Sequence, residues 1–188
     1  MDGLYVTSIV FGILAVLVCF FIFLHRSRDL TLMFRLLFDI FSALSITFAY
    51  LYSKEVVLFA GLGTNIVGIG ADILFYFRKR YKWADHIFWL FLILSLYGLS
   101  LIFTYRSPIS LLPIFGSFIN TTALYLMNHK VTKWMTFCGQ IFFITYYSLL
   151  LVGSDMLTLL NLLCSSVMMV SVIIGLFMIY FKKDQKTT

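Results

Sequence analysis

From Leu4 to Leu24 the chain runs for 21 residues without one charged side chain. Comparable apolar segments follow at Thr31–Leu51, Val56–Phe77, His86–Tyr105, Ile109–Met127, Met135–Val152 and Met156–Phe181. Roughly 20 apolar residues in a helix cross the hydrocarbon core of a bilayer, and in lipid a helix is the form that satisfies its own backbone. Seven spans at that length take about 140 residues, which leaves a 188-residue chain only short loops. With 62% hydrophobic and 12% charged residues, an ordinary soluble domain is excluded. The expected fold is an all-α integral membrane protein of seven transmembrane helices.

The charges set an orientation. Arg26, Arg28 and Arg35 follow span 1, and Arg78, Lys79, Arg80 and Lys82 follow span 3. Lys130 and Lys133 follow span 5, and Lys182, Lys183 and Lys186 follow span 7, while the other side has only Lys54 and Arg106. This asymmetry of twelve to two places the N-terminus outside and the C-terminus in the cytoplasm by the positive-inside rule. Basic residues at span ends explain the net charge of +6 better than nucleic acid does, and no nucleic-acid partner is expected. The bilayer itself is the expected partner, and a homo-oligomer is compatible with so apolar a surface. Tyr5, Tyr52, Tyr81, Trp83, Tyr105, Trp134 and Tyr180 fall near span ends as interfacial anchors. The N-terminus has no basic stretch before its apolar run, so the first segment is expected to stay as a span.

At an offset of 104 residues the chain resembles itself. Phe11-Gly12 meets Phe115-Gly116, His25-Arg26 meets His129-Lys130, and Tyr76-Phe77-Arg78-Lys79 meets Tyr180-Phe181-Lys182-Lys183. The turn Lys54-Glu55 falls about four residues from Ser154-Asp155, so a small gap is needed. The expected organisation is a single membrane domain with a parallel 3+1+3 repeat. Residues 4–82 form a first triple-helix bundle, 83–107 a linker helix and 108–186 a second bundle.

Span 3 holds the densest feature, Ala60-Gly-Leu-Gly-Thr-Asn-Ile-Val-Gly-Ile-Gly-Ala-Asp72. Gly61, Gly63, Gly68 and Gly70 would each weaken a helix in water by about 1 kcal/mol relative to Ala. In lipid they permit close approach of another helix or a ligand. Every fourth position (Ala60, Thr64, Gly68, Asp72) draws a groove ending in a carboxylate. Asp39 and Asp72 are the carboxylates set well inside spans, where ionisable groups are functional hypotheses by default. Asp39 shares a helix face with Arg35, four residues away, so the bland reading is a structural pair. The sharper one makes Asp39, Asp72 and Arg35 a gate or a proton- or cation-coupling group. Asn65, Asn120, Gln140 and Thr64 are the expected solute contacts, since amides and hydroxyls offer donors and acceptors at mid-membrane. Helix-to-helix hydrogen bonding competes as their explanation. Tyr146-Tyr147 is a further candidate for lining a central polar cavity, with interfacial or packing roles competing.

Other chemistries fit poorly. Cys19, Cys138 and Cys164 lie in apolar spans without metal-type spacing, and His25, His86 and His129 have no cysteine or paired acid nearby, so no metal and no cofactor is expected. An intramembrane aspartyl protease needs Gly-x-Gly-Asp, and Gly68-Ile-Gly70-Ala71-Asp72 places the aspartate one position late, about 100° around a helix. A retinal protein needs a Schiff-base lysine, and span 7 has none before Lys182. No enzymatic activity is expected.

The order of features resembles the YgjV-type bacterial inner-membrane proteins. The features are a short outer turn, a Gly-rich span with Asn65 and the basic run Arg78-Lys79-Arg80. They continue with Leu112-Pro113-Ile-Phe-Gly-Ser117, Tyr146-Tyr147 and Ile173-Ile-Gly175 before the basic end. The likeness covers nearly the whole chain and implies the bacterial cytoplasmic membrane, with no settled activity. More distantly the 3+1+3 layout is similar to SWEET and PQ-loop transporters. The Pro-Gln pair is absent, and span 1 has no proline. In SWEETs an Asn on each of spans 3 and 7 faces the sugar. Asn65 matches the first, but the offset pairs it with Met169, and Asn161 lies two turns away. The favoured expectation is movement of a small polar solute by alternating access. The alternative is a non-transporting scaffold or sensor.

Overall fold

The computed structural model describes residues 3–24, 27–78, 80–105, 107–126, 128–151 and 156–184, and every long element among them is an α-helix. In order these are α1 (Gly3–Phe21), α2 (Arg28–Ser53), α3 (Val56–Phe77), α4 (Phe88–Thr104), α5 (Leu111–Tyr125), α6 (His129–Leu150) and α7 (Met156–Asp184). Single 3-10 turns at Lys82–Asp85 and Pro108–Ser110 precede α4 and α5. The helix starts follow local chemistry. Ser27 precedes α2 in extended conformation with Asp29 in the first turn, where an acid favours the positive helix end. Pro113 stands in the first turn of α5, where its missing N–H breaks no bond. Between α2 and α3 the reversal takes two residues, with Lys54 left-handed (φ 60°) and its N–H donated to the Tyr50 carbonyl at 2.7 Å.

Consecutive helices pack against each other in sequence order, and α1 returns to pack on α7, so the seven make a ring. The α1–α7 seam is parallel: Gly12 lies against Leu160, and Phe23 reaches Ser171. On the other side of the ring α4 stands between α3 and α5, which touch only lightly. Leu17, Ile66, Phe91, Ile102 and Phe177 are exposed on the outside, the apolar surface that lipid requires.

Three helices are long and apolar enough by themselves to cross a membrane, within Gly3–Phe21, Asp29–Ser53 and Met156–Tyr180. Gly61–Phe77 and Phe88–Ile102 are apolar but shorter. At 15 residues α5 reaches only about 22 Å by helical rise, and α6 is diluted by Lys130, Lys133 and Gln140.

The expected spans agree with the helices to within a few residues except at α6. The sequence reading begins that span at Met135, whereas the helix starts at His129, where the Asn128 side chain accepts from the Lys130 and Val131 N–H groups. A full extra turn and a half is therefore helical, and Lys133 is corrected from a loop residue to a buried one, 1% exposed. Arg35 is likewise internal, so two of the twelve basic residues are structural rather than interfacial. His25, Arg26, Lys79, Arg106, Ser154, Asp155 and Lys186, and the side chains of Arg28, Ala60, His129, Lys182 and Lys183, lie outside the described residues.

Glycine packing is also corrected. Gly63 and Gly70 are exposed, and nothing among the described residues comes within 4 Å of where a Cβ would stand. Gly61 and Gly68 face inward. At 100° per residue, glycines seven apart share a face and glycines two apart nearly oppose. The stretch therefore splits into an inner and an outer pair. Close glycine-to-glycine backbone approach lies elsewhere, where Gly116 of α5 opposes Gly139 of α6. A Cβ on either would stand 3.1–3.2 Å from the other's carbonyl oxygen.

Candidate functional site

Two apolar clusters fill the half of the ring nearest the α1 C-terminus. One joins α1 to α7 through Cys19, Ile22, Phe23, Val172 and Leu176. The other joins Leu32 to Phe75, Ile93 and Leu124 across α3, α4 and α5. Two cations tie the same end together. Lys133 Nζ of α6 donates to the Phe23 carbonyl at 3.0 Å, and Phe23 N–H donates to Ser171 Oγ at 3.1 Å. Arg78 donates to the Tyr125 carbonyl at the end of α5, pairs with Asp85 and stacks 3.8 Å from the Tyr125 ring centroid. Each cation sits at the negative end of a helix, where a positive charge is favoured. Gly175 makes room for the first arrangement, since a Cβ there would collide with Lys133 Nζ.

The opposite half is hollow. A cavity of about 740 Å³ begins at the face carrying the α1 N-terminus, where Glu55, Ser107 and Leu150 line it. It ends beside Asp39, Gly68, Asn120, Gln140 and Met168. All four expected solute contacts line it. Thr64 spends its hydroxyl on its own helix, donating to the Gly61 carbonyl at 2.7 Å. Asn65 Nδ2 donates to Ser42 Oγ of α2 at 3.2 Å, and Gln140 Nε2 reaches Met168 Sδ of α7 at 3.0 Å. Asn120 is 5% exposed and packs its Oδ1 against Gly139, where a Cβ would collide with it. That oxygen has no hydrogen-bond partner among the described residues.

At the deep end Arg35, Asp39 and Asp72 form one electrostatic cluster. Arg35 Nε stands 3.1 Å from Asp72 Oδ1, an ion pair between side chains 13% and 1% exposed. Asp39 stands beside the same carboxylate, so Asp72 is held between Arg35 and Asp39. Arg35 and Asp39 line the cavity, and Asp72 lies behind Arg35. Gly68 permits this arrangement, because a Cβ there would meet Asp39 Oδ2 at 2.8 Å and the Tyr97 hydroxyl at 3.5 Å. The expected Arg35–Asp39 pair is thus displaced by an Arg35–Asp72 contact between α2 and α3, with Asp39 alongside.

Sequence reasoning missed Tyr97, Ser42 and Lys133. Tyr97 lies in the middle of its span, away from both interfacial belts, and that placement was the available signal. Asn161, Tyr146 and Tyr147 also line the cavity.

A ring of lipid-facing helices around a polar, charged compartment defines a multi-span membrane protein with an internal cavity. The chain belongs to the YgjV family of bacterial inner membrane proteins, whose model matches residues 6–183. It is accordingly a multi-pass protein of the bacterial inner membrane. No curated protein and no solved structure matches the chain. The distant likeness to SWEET and PQ-loop transporters has no support from these comparisons.

Proposed function

We propose that the protein moves a small polar solute across the inner membrane by alternating access. The observation that carries this reading is the division of the ring into a polar hollow half and an apolar filled half. A cavity near 740 Å³ falls in the range of about 300–1,000 Å³ common for small-molecule sites. With the N-terminus outside, as the charge asymmetry favours, the cavity faces out and the cation-tied end is the closed cytoplasmic gate. The 104-residue offset pairs α1 with α5, α2 with α6 and α3 with α7, which supports reading the ring as two related halves that rock. Arg35, Asp39 and Asp72 stand where a gate or coupling group would sense the solute.

A scaffold or sensor role has its own support, because Asn65–Ser42 and Gln140–Met168 are helix-to-helix contacts. Proteolysis has less: Asp72 is paired with Arg35, and the sequence lacks the contiguous Gly-x-Gly-Asp. Reconstituted protein assayed for uptake and efflux across a solute panel decides between the first two. Flux under an imposed gradient is expected, and folded protein that moves nothing in either direction would sink the transport reading.

A further inference from the structure

The charges along the cavity are unequal. Two carboxylates line it, Glu55 at the mouth and Asp39 at the deep end, against one guanidinium, Arg35. Arg35 is already turned to a third carboxylate, Asp72, at 3.1 Å. Asp39 is 6% exposed and stands against Asp72; its Oδ2 is sealed beside Gly68 without a donor among the described residues. No lysine lines the cavity among those residues. Against Arg35 the two carboxylates leave one negative charge, which a proton shared between Asp39 and Asp72 or a cation entering beside Asp39 would balance. Phe143, Tyr146 and Tyr147 add aromatic rings to the wall, and ring faces attract cations.

We infer that the solute is a small organic cation, a protonated amine on an apolar or aromatic body, with Asp39 as its counter-ion. This rests on the reading of the cavity as a solute site. An anion would meet Asp39 and Glu55 with only a committed guanidinium in return. A neutral polyol brings no charge and leaves the carboxylate pair to be balanced by a proton alone. An ammonium supplies that charge and brings N–H donors to the carboxylate that lines the cavity. Glu55 at the entrance draws the same charge inward.

The test is equilibrium binding to the full chain in detergent with three probes of one shape: 2-phenylethylammonium, neutral 2-phenylethanol and anionic 3-phenylpropionate. The ammonium is expected to bind saturably and at least about tenfold tighter than the other two, and Asp39→Asn is expected to weaken it by about tenfold or more. Equal binding of the alcohol or the carboxylate overturns the inference, as does unchanged ammonium binding in a folded Asp39→Asn protein. Absence of saturable ammonium binding at millimolar concentration overturns it too, as does a site that takes sodium and refuses the ammonium. The three-probe comparison on the unsubstituted protein stands even where the variant fails to fold. Ammonium binding without flux sinks transport alone, whereas flux of a neutral solute without ammonium binding sinks the cation site alone.

Discussion

Replacing Gly68 with alanine puts a methyl group against the carboxylate that ends the cavity. The added Cβ would stand 2.8 Å from Asp39 Oδ2 and 3.3 Å from its Cγ. Ordinary contact begins near 3.4 Å, so Asp39 must retreat by about 0.6 Å on rotamer freedom limited by staggered wells. On one side stand Arg35 and Asp72, and on the other the Tyr97 hydroxyl, itself 3.5 Å from the new carbon. Overpacking of this kind costs about 1–3 kcal/mol. The alanine returns at most about 1 kcal/mol of helix propensity. A net loss of about 1–2 kcal/mol is expected. The outer glycines supply the control: at Gly63 and Gly70 no described atom lies within 4 Å of the added carbon. Alanine there is expected to be neutral or to stabilise by up to about 1 kcal/mol. Reversible unfolding of each variant in mixed micelles, followed by far-ultraviolet circular dichroism, measures the difference. Gly68→Ala as harmless as Gly70→Ala, or damage from the outer pair instead, would refute the assignment of inner and outer faces.

Arg35→Leu strands two buried carboxylates and is expected to destabilise by about 3–5 kcal/mol. Adding Asp72→Asn should recover part of that in a double-mutant cycle, and strictly additive losses would show that the pair does not interact. Lys133→Met removes the ammonium from the Phe23 carbonyl and is expected to cost about 1–3 kcal/mol. It should also make a cysteine at Leu176 more reactive toward an impermeant thiol reagent from the C-terminal face. Unchanged reactivity would argue against a gate there. Asn65→Ala loses the Ser42 bond, and reduced solute flux is expected; full flux would remove Asn65 from the path. If movement is proton-linked, Asp39→Asn and Asp72→Asn should each abolish its pH dependence in proteoliposomes, and an unaltered profile defeats the coupling.

Much of the helix order was readable because the signal is additive: a span is an average over about 20 residues, and a few polar groups do not erase it. The site was readable in part for a related reason. Asp39, Asp72, Asn65, Asn120 and Gln140 stand out because lipid tolerates them only with a partner or a cavity. Their pairing was not readable. Arg35 and Asp39 share a helix face, yet α3 brings Asp72 to Arg35, and that depends on the rotation of one helix against another. Lys133 was misplaced because a lysine five residues after Asn128 reads as loop charge. Only tertiary contact with Phe23 shows that it points inward. The glycines were legible as a cluster but not as two faces, although their spacing already contained the division.

The tie at Phe23 also sets an order of events during synthesis. The end of α1 is completed by Lys133 and Ser171, which lie 110 and 148 residues further along the chain. Until α6 and α7 have entered the bilayer, those two backbone groups at the end of α1 lack the partners they hold in the finished ring. Tyr125 does not wait in this way, because Arg78 is made before it. The ring is therefore sealed by its last helix: a chain cut short before α7 keeps α1 packed on α2 but leaves the Phe23 N–H without Ser171 and the α1–α7 seam open.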